Sequence, residues 1–163
     1  MFDCLAQTAE RLIGADTASA HCDIPCKIYD PAPALIAALS VVRMIDIINE
    51  TAEKADSLER TNTLTRCIAI KEEEAARVKD EIRVIWGDYF KAPQIEAHPA
   101  IHTLVHKIMM TAGACKQGVD RARAEELVED VNQFAEAFWA TKDVTTERRA
   151  APYPPGLLLV RPV

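Results

Sequence analysis

The stretch IKEEEAARVKDEIRVIWGDYF, residues 70–90, decides the fold class. Val78, Ile82, Ile85, Trp86 and Tyr89 fall at helical spacing on one face, while Glu73 and Arg77 stand at i,i+4 on another. The pattern predicts a helix from the low sixties to Phe90, stopped before Pro93. Toward the N-terminus, Asp30-Pro31 offers an N-cap followed by Pro at the first helical position. Leu35, Leu39, Val42 and Ile45 then repeat at steps of four, three and three, widened by Ile36, Ile47 and Ile48. A helix from about Pro31 to the middle fifties is expected. Toward the C-terminus, Ile101, Leu104, Val105, Ile108 and Met109 mark a third helix after His98-Pro99, ending near Gly113. Leu127, Val131, Phe134, Ala135, Phe138 and Trp139 mark a fourth, starting around Asp120. Four amphipathic helices with short connections most economically form an all-α, antiparallel four-helix bundle.

Composition agrees. The chain has 163 residues, 49% apolar and 27% charged, enough for one domain with a buried core. Only five glycines and 6% aromatic residues argue against a β-sandwich or barrel. A net charge of −6 disfavours nucleic acid or an anionic membrane as partner, although local positive charge can still steer a small anion. No apolar run of the roughly 20 residues needed to cross a bilayer stands out, so a soluble, cytoplasmic protein is expected. From about Asp143 the chain changes character. Pro152, Pro154, Pro155 and Pro162 make 143–163 read as an extended, Pro-rich tail without a core of its own.

Five cysteines are present: Cys4, Cys22, Cys26, Cys67 and Cys115. Only Cys22 and Cys26 lie close together, so no disulfide framework is implied. Cys67 and Cys115 read as buried small hydrophobes. Residues 1–20 end in Ala18-Ser19-Ala20, an A-x-A site, but lack a basic start and are interrupted by Asp3, Glu10, Arg11 and Asp16. They read as a leader removed by a protease outside general secretion. The expected organisation is a leader over 1–20, a domain over 21–142 and the tail.

The segment HCDIPCKIYDPA, residues 21–32, carries the chemistry. Two thiols three residues apart, in a turn stiffened by Pro25, can reach one soft or borderline metal. A free thiol pair or half of a zinc site is the bland alternative, and no second Cys/His pair with zinc spacing follows. A cut after Ala20 would make His21 the N-terminus. Its α-amine, the ionised Cys22 amide and both thiolates then form a planar N2S2 set suited to Ni(II) or Cu(II), with the imidazole as axial ligand. His102 and His106 also share a helical spacing, but no third ligand accompanies them. A surface or capping role is expected.

This segment resembles the nickel hook of the nickel-containing superoxide dismutases, whose pattern reads H-C-D-x-P-C-G-x-Y-D-P. Further matches are Trp86, Asp88, Tyr89, Phe90 and Lys91, then His102-Thr103-Leu104-Val105, then Phe138-Trp139-Ala140-Thr141-Lys142. The resemblance implies a homohexamer of four-helix subunits, one nickel each, converting superoxide to oxygen and hydrogen peroxide through a Ni(II)/Ni(III) cycle. It implies His21, Cys22 and Cys26 as metal ligands, with Tyr29 and Tyr89 lining the approach. Asp23, Pro25, Glu74 and Lys91 are then the residues surrounding the ligands.

Three positions depart from the family pattern. Its glycine after the second cysteine is Lys27, a strained choice if the backbone there needs positive φ. Its acidic residue on the first helix falls on Ala37, and its arginine on the second falls on Glu74. Glu74 is either a new carboxylate partner for the His21 imidazole or one more exposed acid in the run 71–74. The rival functional readings are a non-catalytic nickel- or copper-binding protein and a plain helical interaction module.

Overall fold

Residues 27–163 are described by the computed structural model of the chain. The leader and the expected site residues His21, Cys22, Asp23, Pro25 and Cys26 lie outside that range. Four long helices form the body: α1 (Ala32–Ala52), α2 (Leu58–Val84), α4 (Ile101–Gln117) and α5 (Arg121–Ala140). A six-residue helix, α3 (Ala92–Ala97), sits between α2 and α4. Around the bundle α1 packs on α2, α2 on α4, α4 on α5, and α5 back on α1, which closes the ring. The bundle read from the hydrophobic periodicity is present.

Local chemistry sets the ends. The Asp30 carboxylate accepts the Ala32 N–H at 2.7 Å, and Pro33 costs nothing in a first turn whose N–H groups lack helical partners. Ser57 accepts from the Arg60 N–H at the start of α2, and Asp120 from the Arg123 N–H at the start of α5. α2 passes into a π-helical turn over Ile85–Tyr89, closed by the Phe90 N–H on the Ile85 carbonyl. Such a turn inserts one extra residue and rotates the side chains beyond it about the helix axis. Here the turn re-aims Tyr89.

α1 is more apolar than the sequence reading allowed. By length and mean hydropathy, 1.6, it could cross a membrane, which corrects the expectation that no segment approaches this limit. Half of that window is buried inside the molecule, as in the core helix of a bundle. Leu35, Leu39, Val41, Val42, Ile45 and Ile48 are all buried within the single chain, whereas Ile36 is exposed. Most of the wide apolar surface of α1 is thus occupied without a second subunit.

The tail is a built element. β1 (Thr146–Ala150) and β2 (Leu158–Pro162) pair antiparallel, with Arg148 opposite Val160 and Glu147 opposite Arg161. Ala151, Leu159 and Val160 enter the bundle's core cluster. Buried Asn132 of α5 donates to the Leu158 carbonyl at 2.8 Å and accepts the Val160 N–H at 2.9 Å. Arg148 forms paired hydrogen bonds to both Glu129 and Glu136 of α5. These carboxylates hold its guanidinium pKa well above the usual value.

Two charge readings are corrected. Arg77 pairs with Glu74 and Glu81, at 4.0 and 3.7 Å, instead of with Glu73. Lys71, read as part of a solvated acidic face, is only 2% exposed. Its ammonium donates to the carbonyls of Cys115, Lys116 and Gly118 at 2.7, 2.7 and 2.8 Å, tying α2 to the end of α4. Burial lowers its pKa. Lys71→Met keeps the apolar stem but leaves these carbonyls short of a donor, so a loss of about 2–4 kcal/mol in unfolding free energy is expected from urea denaturation.

Candidate active site

Lys27 to Asp30 carry the chain from the cysteine segment onto the foot of α1. Lys27 has φ 60°, the left-handed conformation that favours glycine. The glycine of the family pattern therefore marks a real backbone requirement, and Lys27 meets it at a steric cost. Two residues on, the Tyr29 ring lies 5.9 Å from the Tyr89 ring. These aromatic residues come from two separate motifs and meet because the π-helical turn and the foot of α1 share one end of the bundle.

Tyr89 is held from three sides. Its ring packs edge-on to Phe90 and Phe138 at 5.4 and 4.9 Å. Its hydroxyl lies 2.6 Å from Thr141 Oγ1, which itself donates to the Phe138 carbonyl at 2.7 Å. With the single Thr141 proton committed, the Tyr89 O–H is the donor of the pair, and its lone pairs stay available to accept. The Lys142 ammonium stands 4.9 Å from the Tyr89 ring centroid, a cation over an aromatic face. Thr141 and Lys142 belong to the matching motif at the end of the fourth helix, but the motif alone assigns neither of them a role. Their place one helical turn past Phe138, itself in contact with Tyr89, is the signal that could have done so.

Lys91 donates to the Gly87 carbonyl at 2.9 Å and so braces the π-helical turn that carries Tyr89. Trp86 donates its indole N–H to His102 Nδ1 at 3.0 Å. This partner gives His102 a role at the helix surface. Among the described residues, no group of three or more His, Cys, Asp or Glu side chains is placed to hold a metal ion. Cys67 and Cys115 are free and buried, and burial pushes the Cys115 thiol up to about 11.

Glu74 stands apart from the tyrosine pair. It lies about four turns before Tyr89, ~22 Å along the helix axis. Its carboxylate is half-buried and faces Arg77, and it lines a small depression with Ser40, Arg43, Tyr153 and Pro154. Ala37 is fully buried in the core cluster. A glutamate placed there would bring a carboxylate into apolar surroundings.

The helical architecture is matched by solved structures of nickel superoxide dismutase. Native nickel superoxide dismutase superposes with a TM-score of 0.66 at 36% identity, over 76% of this chain and 99% of that one. Its metal-free form does so with a TM-score of 0.63 at 34% identity, over 71% and 98%. The chain is 39% identical over 124 residues to the nickel superoxide dismutase of Streptomyces seoulensis, covering 76% of this chain and 89% of that protein. Against the Streptomyces coelicolor enzyme the identity is 37% over 126 residues, covering 77% and 91%. The sequence profile of the nickel-containing superoxide dismutases matches residues 16–142. The chain belongs to that family. The match stops at Lys142, so the hairpin lies beyond it.

Proposed function

We propose that the chain is a nickel-dependent superoxide dismutase. The observation that carries the reading is the pairing of Tyr29 with Tyr89 immediately after the cysteine segment, on a scaffold shared with nickel superoxide dismutases. His21, Cys22 and Cys26 would fit nickel by donor chemistry: a free amine and an ionised amide nitrogen beside two thiolates make a stronger-donating set than the thiolates and neutral imidazoles of a zinc site. The left-handed backbone at Lys27 supports a tight turn just after Cys26. Bound to these residues, nickel supplies the one-electron exchange that turns superoxide into oxygen in one half-cycle and peroxide in the other.

The remaining work belongs to side chains. Cys22 and Cys26 hold the metal as thiolates, and His21 adds its amine and imidazole. Tyr29 and Tyr89 narrow the approach to species as small as superoxide. The Tyr89 oxygen, with its own proton given to Thr141, accepts a hydrogen bond from water that carries protons toward peroxide. Lys142 adds positive charge beside that path. Removal of residues 1–20 by a protease exposes the His21 amine, and the subunits assemble as a homohexamer.

Nickel reconstitution of the processed chain, followed by stopped-flow superoxide decay, tests the reading. Stoichiometric nickel with rapid decay is expected. Stoichiometric nickel without decay would favour the non-catalytic metal-binding alternative. The strain at Lys27 gives a graded check. Lys27→Gly relieves about 0.5–1 kcal/mol and should slow nickel loss to a chelator about two- to fivefold. A β-branched Lys27→Val should hasten it.

A further inference from the structure

The hairpin beyond the family match does more than cover the bundle. Between it and the foot of α1 lies a cavity of about 360 Å³, lined by Asp30, Leu35, Trp139, Leu159 and Arg161 among others. Asp30 directly follows Tyr29. Trp139 packs on Phe138 at 5.0 Å, and Phe138 packs on Tyr89 at 4.9 Å. The cavity therefore backs onto the tyrosine pair through one layer of aromatic rings.

Charge on the hairpin is unevenly satisfied. Arg148 is fully engaged by Glu129 and Glu136. Glu147, opposite Arg161 in the strand register, gives its carboxylate to Arg149. Alternation along the strands puts Glu147, Arg149 and Arg161 on one face, with two guanidinium groups against one carboxylate. Arg161 makes no ion pair with any described residue. One oxygen of the Asp30 carboxylate, which also lines the cavity, accepts the Ala32 N–H at the start of α1. Asn132, through the Val160 N–H, fixes the strand that carries Arg161 at the cavity wall.

We propose that Arg161 captures small anions at this cavity and steers superoxide toward the tyrosine pair. The assignment rests on superoxide being the substrate. Apolar walls strengthen the field of a cation that has no ion pair among the described residues, and local positive charge raises anion on-rates even on an acidic protein. Arg161 is a positioning residue for the substrate and takes no part in electron or proton transfer.

Two measurements separate this inference from the functional reading. The first needs neither metal nor turnover. In a Trp86→Phe background Trp139 is the sole tryptophan, since the chain has two. Iodide quenching of its fluorescence then reports anions in the cavity, with neutral acrylamide as the control for packing. At low ionic strength, Arg161→Glu should reduce iodide quenching about two- to threefold while acrylamide quenching is unchanged. Arg161→Lys should restore most of it. In the nickel form, kcat/KM should fall by a similar factor in Arg161→Glu, and the gap should close at high salt. Unchanged iodide quenching in Arg161→Glu overturns anion capture. Reduced quenching with wild-type kcat/KM at low salt overturns steering. An inactive nickel form of the unsubstituted chain would refute the functional reading, while the iodide result would still decide anion capture.

Discussion

Cys22→Ser or Cys26→Ser is expected to reduce superoxide consumption to the background of the metal-free chain. Each exchange replaces a thiolate by a hydroxyl that stays protonated at neutral pH and is a harder, weaker donor. Losing one sulfur removes one of the two thiolates from the proposed ligand set, the donors that would do most to make a higher nickel oxidation state reachable. The core among the described residues is built from α1, α2, α4, α5 and the hairpin. The far-ultraviolet circular dichroism spectrum and the urea midpoint should therefore remain close to those of the parent. A serine variant with substantial turnover would show that the sulfurs are not the redox-tuning ligands. Collapse of helical content would show instead that the cysteine segment is structural.

The second large effect concerns residues 1–20. A chain still joined through Ala20 has a peptide nitrogen at His21 where the proposed ligand set needs a free amine. Such a chain should hold nickel weakly and show no dismutase activity, and cleavage after Ala20 should switch both on together. An extra residue left before His21 is the stringent version, because it changes one nitrogen and adds almost no bulk. Gly inserted between Ala20 and His21, with cleavage kept after Ala20, should leave the mature chain inactive. Full activity in that variant would exclude the amine from the ligand set.

Periodicity made the four long helices legible, because each buries a continuous stripe and repeats it over several turns. The six-residue α3 was too short to show a period. The π-helical turn was hidden because one inserted residue does not disturb apolar spacing enough to be seen at a helix end. The hairpin was masked by its prolines. Leu157 to Val160 is a β-prone run, and Pro154-Pro155-Gly156 before it is turn chemistry, so the signal was present. Its anchor was not, since Asn132 sits in α5 and reveals nothing until the strand lies beside it.

Lys71 teaches a similar lesson from the other direction. Cys67, Lys71, Ala75, Val78 and Ile82 form the buried stripe of α2, and Lys71 falls on it by spacing. Its neighbours Glu72 to Glu74 disguised it as surface. Tyr29 and Tyr89 were each legible in a separate short motif, whereas their meeting required the closed bundle. Glu74 shows the limit of a motif position, for the sequence identifies the substitution while the helix sets it about four turns before Tyr89.

The most direct test combines three readings on the native protein: intact mass, nickel per chain, and superoxide consumption by that same material. Expected are a chain beginning at His21, one nickel per chain, and activity that disappears with the metal and returns with it. Dismutase activity from a chain that retains Met1 to Ala20, or from one that carries no nickel, would contradict it.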